Sequence, residues 1–259
     1  VLHATEVLDQ RGAPCLAAVA IAQSIEVQRH AFDPQLADHL VRHRQQLDIG
    51  FDARAEVLAQ WRAVLTRRMA QLADVVHAET GKPHADAQLE IGLAIDHLAW
   101  IGSKAEKVLG RHRVSSGLLL ANHAASVEYL PLGVVGVIGP WNYPVFTPMG
   151  SIAYALGAGN TVVFKPSELT PSTAIWLMRA LSDVGLPDGV ANLVLGAGDR
   201  VGPTLTEAPE VDLVSFTGGI VTGRRIMAGM RSSPRAPFNH RENSGSSWKR
   251  LNGRVGNLI

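Results

Sequence analysis

Apolar residues recur at three- and four-residue spacing in the early chain: Leu36, Leu40, Leu47, Val57, Leu58, Trp61, Leu65, Met69, Leu72 and Val76. That spacing places them on one face of a helix. The period breaks at Gly81-Lys82-Pro83, as Gly and Pro break helices, and resumes in an amphipathic run from Leu89 to Leu98. Arg54, Glu56, Arg62, Arg67 and Arg68 read as the solvated face. The stretch from about Pro34 to Leu109 is therefore expected to be helical.

The pattern then changes. Short β-branched or apolar runs alternate with helical ones. Ser126–Tyr129, Val134–Ile138, Thr161–Phe164, Val190–Leu195 and Val211–Phe216 are expected strands. Between them, Pro148–Leu156, Ser172–Val184 and Val201–Glu207 are expected helices. The second of these has Thr170 as candidate N-cap, Pro171 at its first turn, and Gly185 and Pro187 as its stop. Val134–Ile138 is apolar without alternation, the mark of a strand covered on both faces. Strand–helix alternation predicts an α/β fold with a parallel sheet and crossover helices.

From about Gly229 this pattern fades. The segment Met230–Pro237 has no period, and basic residues dominate between Arg231 and Arg254, with Glu242 the one acid. Three readings are open: out-of-frame translation after a frameshift near residue 230, a degraded paralogue, or a genuine basic segment. Pattern and composition fail at one point, which favours the frameshift.

Composition narrows the classes. With 46% hydrophobic and 18% charged residues in 259, the chain can bury a sizeable core. A net charge of +1 gives no electrostatic reason to expect nucleic acid or an anionic membrane as partner. No apolar run approaches the roughly 20 residues that span a bilayer. The single cysteine, Cys15, has no activating company and excludes an intrachain disulfide, which suits a reducing cytoplasm. His39 and His43 have metal-ligand spacing, but Leu40 and Val41 follow His39 and no H-E-x-x-H is completed. No metal site is expected.

Four segments carry candidate chemistry. In Pro131–Pro144 a buried strand runs out through Ile138, Gly139, Pro140, Trp141 and Asn142. An Asn amide at a strand's carboxyl end can donate to a developing oxyanion; equally, it can form an Asx turn between the two prolines. In Asn160–Glu168, Lys165 and Glu168 could grip ribose hydroxyls, or form a surface ion pair worth about 0–1 kcal/mol. Gly196–Gly202 is a near miss to G-x-G-x-x-G with one extra residue, read either as an anion-binding helix start or as a plain βα turn. Phe216–Arg225 again ends a strand in glycines and enters a basic helix start.

Together these segments resemble the aldehyde dehydrogenase superfamily. P-W-N-Y-P, K-P-S-E, G-A-G-D-R-V-G and V-D-L-V-S-F-T-G-G come in the family's order and spacing, and A-E-T-G-K-P at Ala78–Pro83 and V-E-Y-L-P-L-G at Val127–Gly133 fit as well. The resemblance covers about residues 35 to 228. It implies a Rossmann-like sheet with flanking helices after a helical N-terminal segment, in an aldehyde dehydrogenase-like but truncated chain. Residues 1–34 would be an irregular N-terminal segment, residues 115–130 part of an oligomerisation arm, and residues 229–259 a disordered tail.

The resemblance also implies roles. Asn142 is the oxyanion-stabilising Asn. Ile138, Pro140 and Trp141 wall the cofactor pocket. Lys165, Ser167 and Glu168 meet the adenosine ribose, Gly198 and Gly202 the adenine, and Thr217, Gly218, Gly219 and Gly223 the pyrophosphate. The family usually has Ser or Asn where this chain has Gly219. Its general base lies in an E-L-G-G motif, of which Glu242–Gly245 retains only the Glu and the final Gly, so Glu242 is the candidate base. Its cysteine nucleophile follows further on, and here no cysteine follows Cys15.

The implied activity is oxidation of an aldehyde to a carboxylic acid with NAD(P)+, in a cytoplasmic homo-oligomer. NAD is favoured because Glu168 would repel a 2′-phosphate, although Lys165 would tolerate one. Without the cysteine, the polypeptide itself is expected to be an inactive dinucleotide-binding module. The further alternative is an interaction fragment that joins intact subunits through the arm at Gly117–Tyr129.

Overall fold

The computed structural model describes residues 49–120 and 122–232. Leu36, Leu40, Leu47, His39, His43, Cys15 and the tail with Glu242 lie outside the described residues.

The predicted helical stretch is three helices. Helix α1 (Phe51–Arg67) and α2 (Met69–Thr80) are separated by Arg68, whose φ of −111° and ψ of 21° leave the helical region. Leu58, Trp61, Leu65, Leu72 and Val76 of the predicted stripe are buried. Arg54 departs from the expected solvated face. It is half-buried, donates from Nη1 to the Ile49 carbonyl at 2.9 Å, and lies over the Phe51 ring. Gly81 ends α2 at φ 71°, a left-handed conformation that glycine takes without steric cost.

Helix α3 (His84–Leu109) starts directly after the Gly81–Pro83 break and ends where the predicted helical stretch ends, extending on both sides of the amphipathic run Leu89–Leu98. Its buried face is Ala87, Glu90, Ile91, Ala94, Leu98, Ile101 and Ala105, while Leu89 and Leu93 point outward at 64% and 41% exposure. The inward face thus mixes Ile91, Leu98 and Ile101 with three alanines and Glu90.

Strands β1 (His112–Val114) and β2 (Ala125–Val127) pair antiparallel, so the expected Ser126–Tyr129 strand begins and ends earlier. A 3-10 turn at Leu118–Leu120 lies between them, with Leu118 and Leu119 almost fully exposed.

The α/β region follows the predicted alternation: β3 (Val134–Ile138), α4 (Phe146–Gly157), β4 (Thr161–Lys165), α5 (Pro171–Asp183), β5 (Ala191–Leu193), α6 (Gly198–Glu207), β6 (Leu213–Phe216) and α7 (Ile220–Ser232). Strands β5 and β6 are shorter than expected. Helix α6 starts earlier, at Gly198, and α7 continues through Ser232, past the point where sequence periodicity fades.

The four strands are all parallel in the order β5-β4-β3-β6. The chain therefore steps outward from β3 through β4 to β5, then returns to add β6 on the other side of β3. Alternate strand residues feed two cores. Val135, Val137, Val162 and Phe164 join the large cluster with α1 to α5, and Val134 and Val163 join Val201 and Leu205 of α6. Covering on both faces explains the unbroken apolar run of β3. Buried Asn160 sets the strand's start. Its Oδ1 accepts the Leu132 and Gly133 N–H groups at 2.7 and 3.0 Å, and the Asp212 carboxylate accepts the Val134 N–H at 2.8 Å.

The start of α5 corrects one expectation. Pro171 does occupy the first turn, but Thr170 makes no side-chain cap hydrogen bond. The cap comes from α2. The Glu79 carboxylate accepts the Ser172 and Thr173 N–H groups at 2.6 and 2.9 Å, and the Thr173 hydroxyl at 2.6 Å. An anion there satisfies orphan donors and opposes the positive helix end. Thr170 is buried and its hydroxyl makes no hydrogen bond among the described residues, so the sequence-local cap loses to a distant carboxylate.

Replacing Glu79 with Ala should lower stability by about 1–2 kcal/mol, the worth of a helix cap. Urea denaturation of the full chain reads this, and a Thr170→Ala chain should lose less than Glu79→Ala. Equal losses would return the cap to Thr170.

Candidate functional site

The strand order creates a switch point. Connections leave β3 in one direction and come back on the other, so the order of the strands reverses between β3 and β6. Ligands of open α/β sheets bind at such points. Ile138 ends β3 and Phe216 ends β6, and the two are register partners. The Thr217 N–H donates to the Ile138 carbonyl at 3.2 Å, and the Gly139 N–H to the Lys165 carbonyl at 3.1 Å. The ends of β6, β3 and β4 are thus laced side by side, which brings Ile138, Pro140, Trp141, Lys165, Thr217 and Gly218 to one edge.

On the β4 side, Lys165 is the last strand residue and is buried at 4% exposure, so it is not a simple surface ion pair. Its Nζ lies 3.3 Å from Glu168 Oε2, on a carboxylate about half exposed. The Glu168 carboxyl is held below its ordinary value, first by its own backbone N–H. The Lys165 ammonium and the Gly198 N–H act in the same direction, and partial burial opposes them. A β-carbon added to Gly198 would lie 3.9 Å from Lys165 Nζ. Lys165, Glu168 and Gly198 therefore meet in space, with Gly198 opening helix α6. The Ser167 hydroxyl accepts the Leu169 N–H at 3.2 Å and holds the turn. Gly202 sits half-buried inside α6, farther along the helix than Gly198.

On the β6 side, Thr217, Gly218 and Gly219 form an exposed turn before α7. A β-carbon on Gly218 would come within 2.6 Å of the Phe216 ring, whereas nothing lies within 4 Å of one on Gly219. The turn is open on the Gly219 side. Gly223 lies in the first turn of α7, where its N–H donates to the Gly219 carbonyl at 3.0 Å.

The loop after β3 carries Trp141 and Asn142, both exposed. An Asx turn would need the Asn142 side chain to accept a nearby N–H. Among the described residues no such bond forms; instead the Asn142 backbone carbonyl accepts Lys82 Nζ at 2.8 Å. Lys82 also pairs with Glu90 and lies 4.1 Å from the Tyr143 ring centroid. Glu90 is fully buried, and its Oε1 accepts the Val145 and Phe146 N–H groups at 2.8 and 3.0 Å. Behind the loop, His97 stacks on Phe146 at 5.1 Å and shares a 3.2 Å hydrogen bond with the Tyr154 hydroxyl. Burial lowers the His97 pKa, against a smaller upward pull from Asp96, and raises that of Tyr154.

Glu79, Lys82 and Glu90 were not singled out by residue type, although two signals were present. Glu79 and Lys82 belong to the A-E-T-G-K-P motif, and Glu90 is a charge set among Ala87, Ile91 and Ala94 on the buried face of α3. The predicted base Glu242 lies outside the described residues. Among the described residues, no group of three His, Cys, Asp or Glu side chains could hold a metal ion, and no helix is long and apolar enough to cross a membrane.

An open parallel sheet covered on both faces, with a polar, glycine-bearing edge at its switch point, defines an α/β protein. The chain matches the model of the Aldehyde dehydrogenase family over residues 34–236, and it belongs to that family. It is 39% identical over 173 residues to an alpha-ketoglutarate semialdehyde dehydrogenase of Haloferax volcanii, covering 67% of this chain and 35% of that protein. Among solved structures it is similar to a betaine aldehyde dehydrogenase of Staphylococcus aureus in complex with NAD+. That match has a TM-score of 0.70 and 31% identity, covering 76% of this chain and 40% of that one. An NADP-dependent enzyme of E. coli matches with a TM-score of 0.72 and 30% identity, covering 76% and 41%. The chain thus spans 35% of the length of the curated relatives it matches. It carries an oxidoreductase family's fold.

Because the folded-state pKa of Glu168 is depressed, the contacts of its carboxylate, first with its own backbone N–H and then with Lys165, contribute stability above the ordinary carboxyl value of 4.5 and lose it as pH falls through the lower folded value. The stability gap between the wild-type chain and Glu168→Gln should therefore be widest near neutral pH and close in acid. Urea midpoints against pH check this, and a gap that widens in acid would contradict the assignment.

Proposed function

We propose that these residues form the nicotinamide-dinucleotide-binding part of an aldehyde dehydrogenase that converts an aldehyde to a carboxylic acid. The observation that carries the reading is the meeting of Lys165, Glu168 and Gly198 at the carboxyl edge, beside the switch point. A buried ammonium and an ionised carboxylate together match the donors and acceptors of a ribose diol. The N–H groups at the starts of α6 and α7 suit phosphate oxygens, and the open Gly219 turn admits them closely. Ile138, Pro140 and Trp141 supply wall. These features fit the cofactor.

When bound, the dinucleotide supplies a hydride acceptor. The chain's own residues bind and orient it. Asn142 presents an amide that has no partner among the described residues, suited to stabilise an oxygen that gains negative charge. NAD is the preferred cofactor, because the ionised Glu168 repels a 2′-phosphate. Lys165 beside it softens that preference, so NADP remains a weaker ligand.

Turnover needs a thiol nucleophile. The sequence holds one cysteine, Cys15, and no residue around it offers activation. We therefore propose that this polypeptide alone binds the dinucleotide without oxidising aldehyde. Aldehyde as substrate, a cytoplasmic location and a homo-oligomer are proposed for the whole family member. A second reading, a fragment that joins other subunits, is favoured by the exposed Leu118 and Leu119 between β1 and β2.

Titrating the full chain with NAD while following tryptophan fluorescence should give saturable quenching that Trp141→Phe largely removes. Lys165→Ala should weaken binding by about tenfold, the loss of one charge-assisted contact. NADP should bind less tightly than NAD, and Glu168→Gln should narrow the difference. Aldehyde assayed with saturating NAD should show no turnover. Absent NAD binding would sink the first reading. Absent binding together with co-purification of an intact dehydrogenase would favour the second.

A further inference from the structure

We propose that Lys82 and Glu90 are positioning residues that fix the Asn142 loop, acting as one clamp across the helical layer and the sheet. The inference rests on the reading of Asn142 as the oxyanion donor. It comes from how completely the two side chains are used.

The Lys82 ammonium has three N–H donors and three acceptors around it: Glu90 Oε2, the Asn142 carbonyl at 2.8 Å and the face of Tyr143 at 4.1 Å. The Glu90 carboxylate is spent just as fully. Its Oε2 takes Lys82, and its Oε1 takes the Val145 and Phe146 N–H groups at the start of α4. The clamp thus holds Asn142 and Tyr143 at one end of the loop and Val145 and Phe146 at the other. Asn142 itself has its backbone gripped, while its amide makes no hydrogen bond among the described residues.

A free surface loop of this kind would sample many directions, and an oxyanion donor works only when pre-set toward the oxygen. Lys82 lies 60 residues from Asn142 in sequence, so the contact is not a by-product of local turn geometry. Glu90 has no exposed surface. A buried carboxylate on an apolar helix face is costly unless paired, and here every pairing leads to this loop. The Gly81 turn ending α2 delivers Lys82 to it.

The test is amide hydrogen exchange on the full chain, read peptide by peptide. Lys82→Met should speed exchange across the loop from Trp141 to Phe146 by about tenfold, the loss of one charge-assisted hydrogen bond. Protection in β3 and β4 should stay as in the wild type. Lys82→Arg restores the charge and should recover most of the protection. Glu90→Gln keeps an acceptor for the two amides but not the ion pair, so it should loosen the Asn142 end more than the Phe146 end. Unchanged loop exchange in Lys82→Met overturns the proposal. So does a rise shared equally by β3, β4 and the loop, which would mean global destabilisation. NAD titration of the same samples separates the two readings. A wild-type chain that binds no NAD defeats the proposed function and leaves the exchange result to decide the clamp.

Discussion

Two carboxylates from the helical layer, Glu79 and Glu90, reach across to the N–H groups at the starts of α5 and α4 that no helix carbonyl can satisfy. Each crossover helix must end its hydrogen-bond ladder with unsatisfied donors pointing toward the edge where the site lies. The sheet alone offers nothing to satisfy them. Supplying an acceptor from α2 and α3 welds the helical layer to the sheet at the places where the crossover helices begin. The apolar packing of α1, α3 and α4 adds area, but it does not specify register. The carboxylate caps do, because a carboxylate accepts from particular N–H groups at hydrogen-bonding distance.

With the helices fixed, the strand order does the rest. Placing β6 on the far side of β3 puts the reversal of strand order at their adjoining carboxyl ends, the edge at which open α/β sheets take ligands. The edge then collects residues that are far apart in the chain. Lys165 and Glu168 arrive from β4, Gly198 from α6, Thr217 to Gly219 from β6, and Asn142 from the loop held by Lys82. The polar contacts at this edge involve charged groups inside or beside the protein, where they are stronger than on an open surface. Burial of Lys165 is what separates its pairing with Glu168 from an ordinary surface ion pair.

The local pattern was legible to different degrees. Strand β3 was read to the residue, because a strand covered on both faces has no polar position to blur its ends. Helix α5 was read almost as well through Pro171 and Gly185. Helix α3 was expected within the helical stretch that ends at Leu109, but its amphipathic run was legible only over Leu89–Leu98, because Ala87, Ala94, Ala105 and Glu90 break up the apolar signal of its buried face. The candidate residues Asn142, Lys165 and Glu168 were picked out through their place at strand ends and through family resemblance. Lys82 and Glu90 were passed over, because their partners lie far away in the sequence.

The sequence by itself determined the kinds of elements, their alternation, the α/β class and the glycines at the strand ends. These follow from side-chain periodicity and backbone preference, which act over a few residues. The tertiary structure alone decided the strand order, the replacement of Thr170 by Glu79 as cap, the burial of Lys165 and the clamp of Lys82 and Glu90 on the Asn142 loop. Each of these joins groups tens of residues apart, and a long-range pairing leaves no periodic trace in the chain. Its energy exists only once packing has excluded water from the pair.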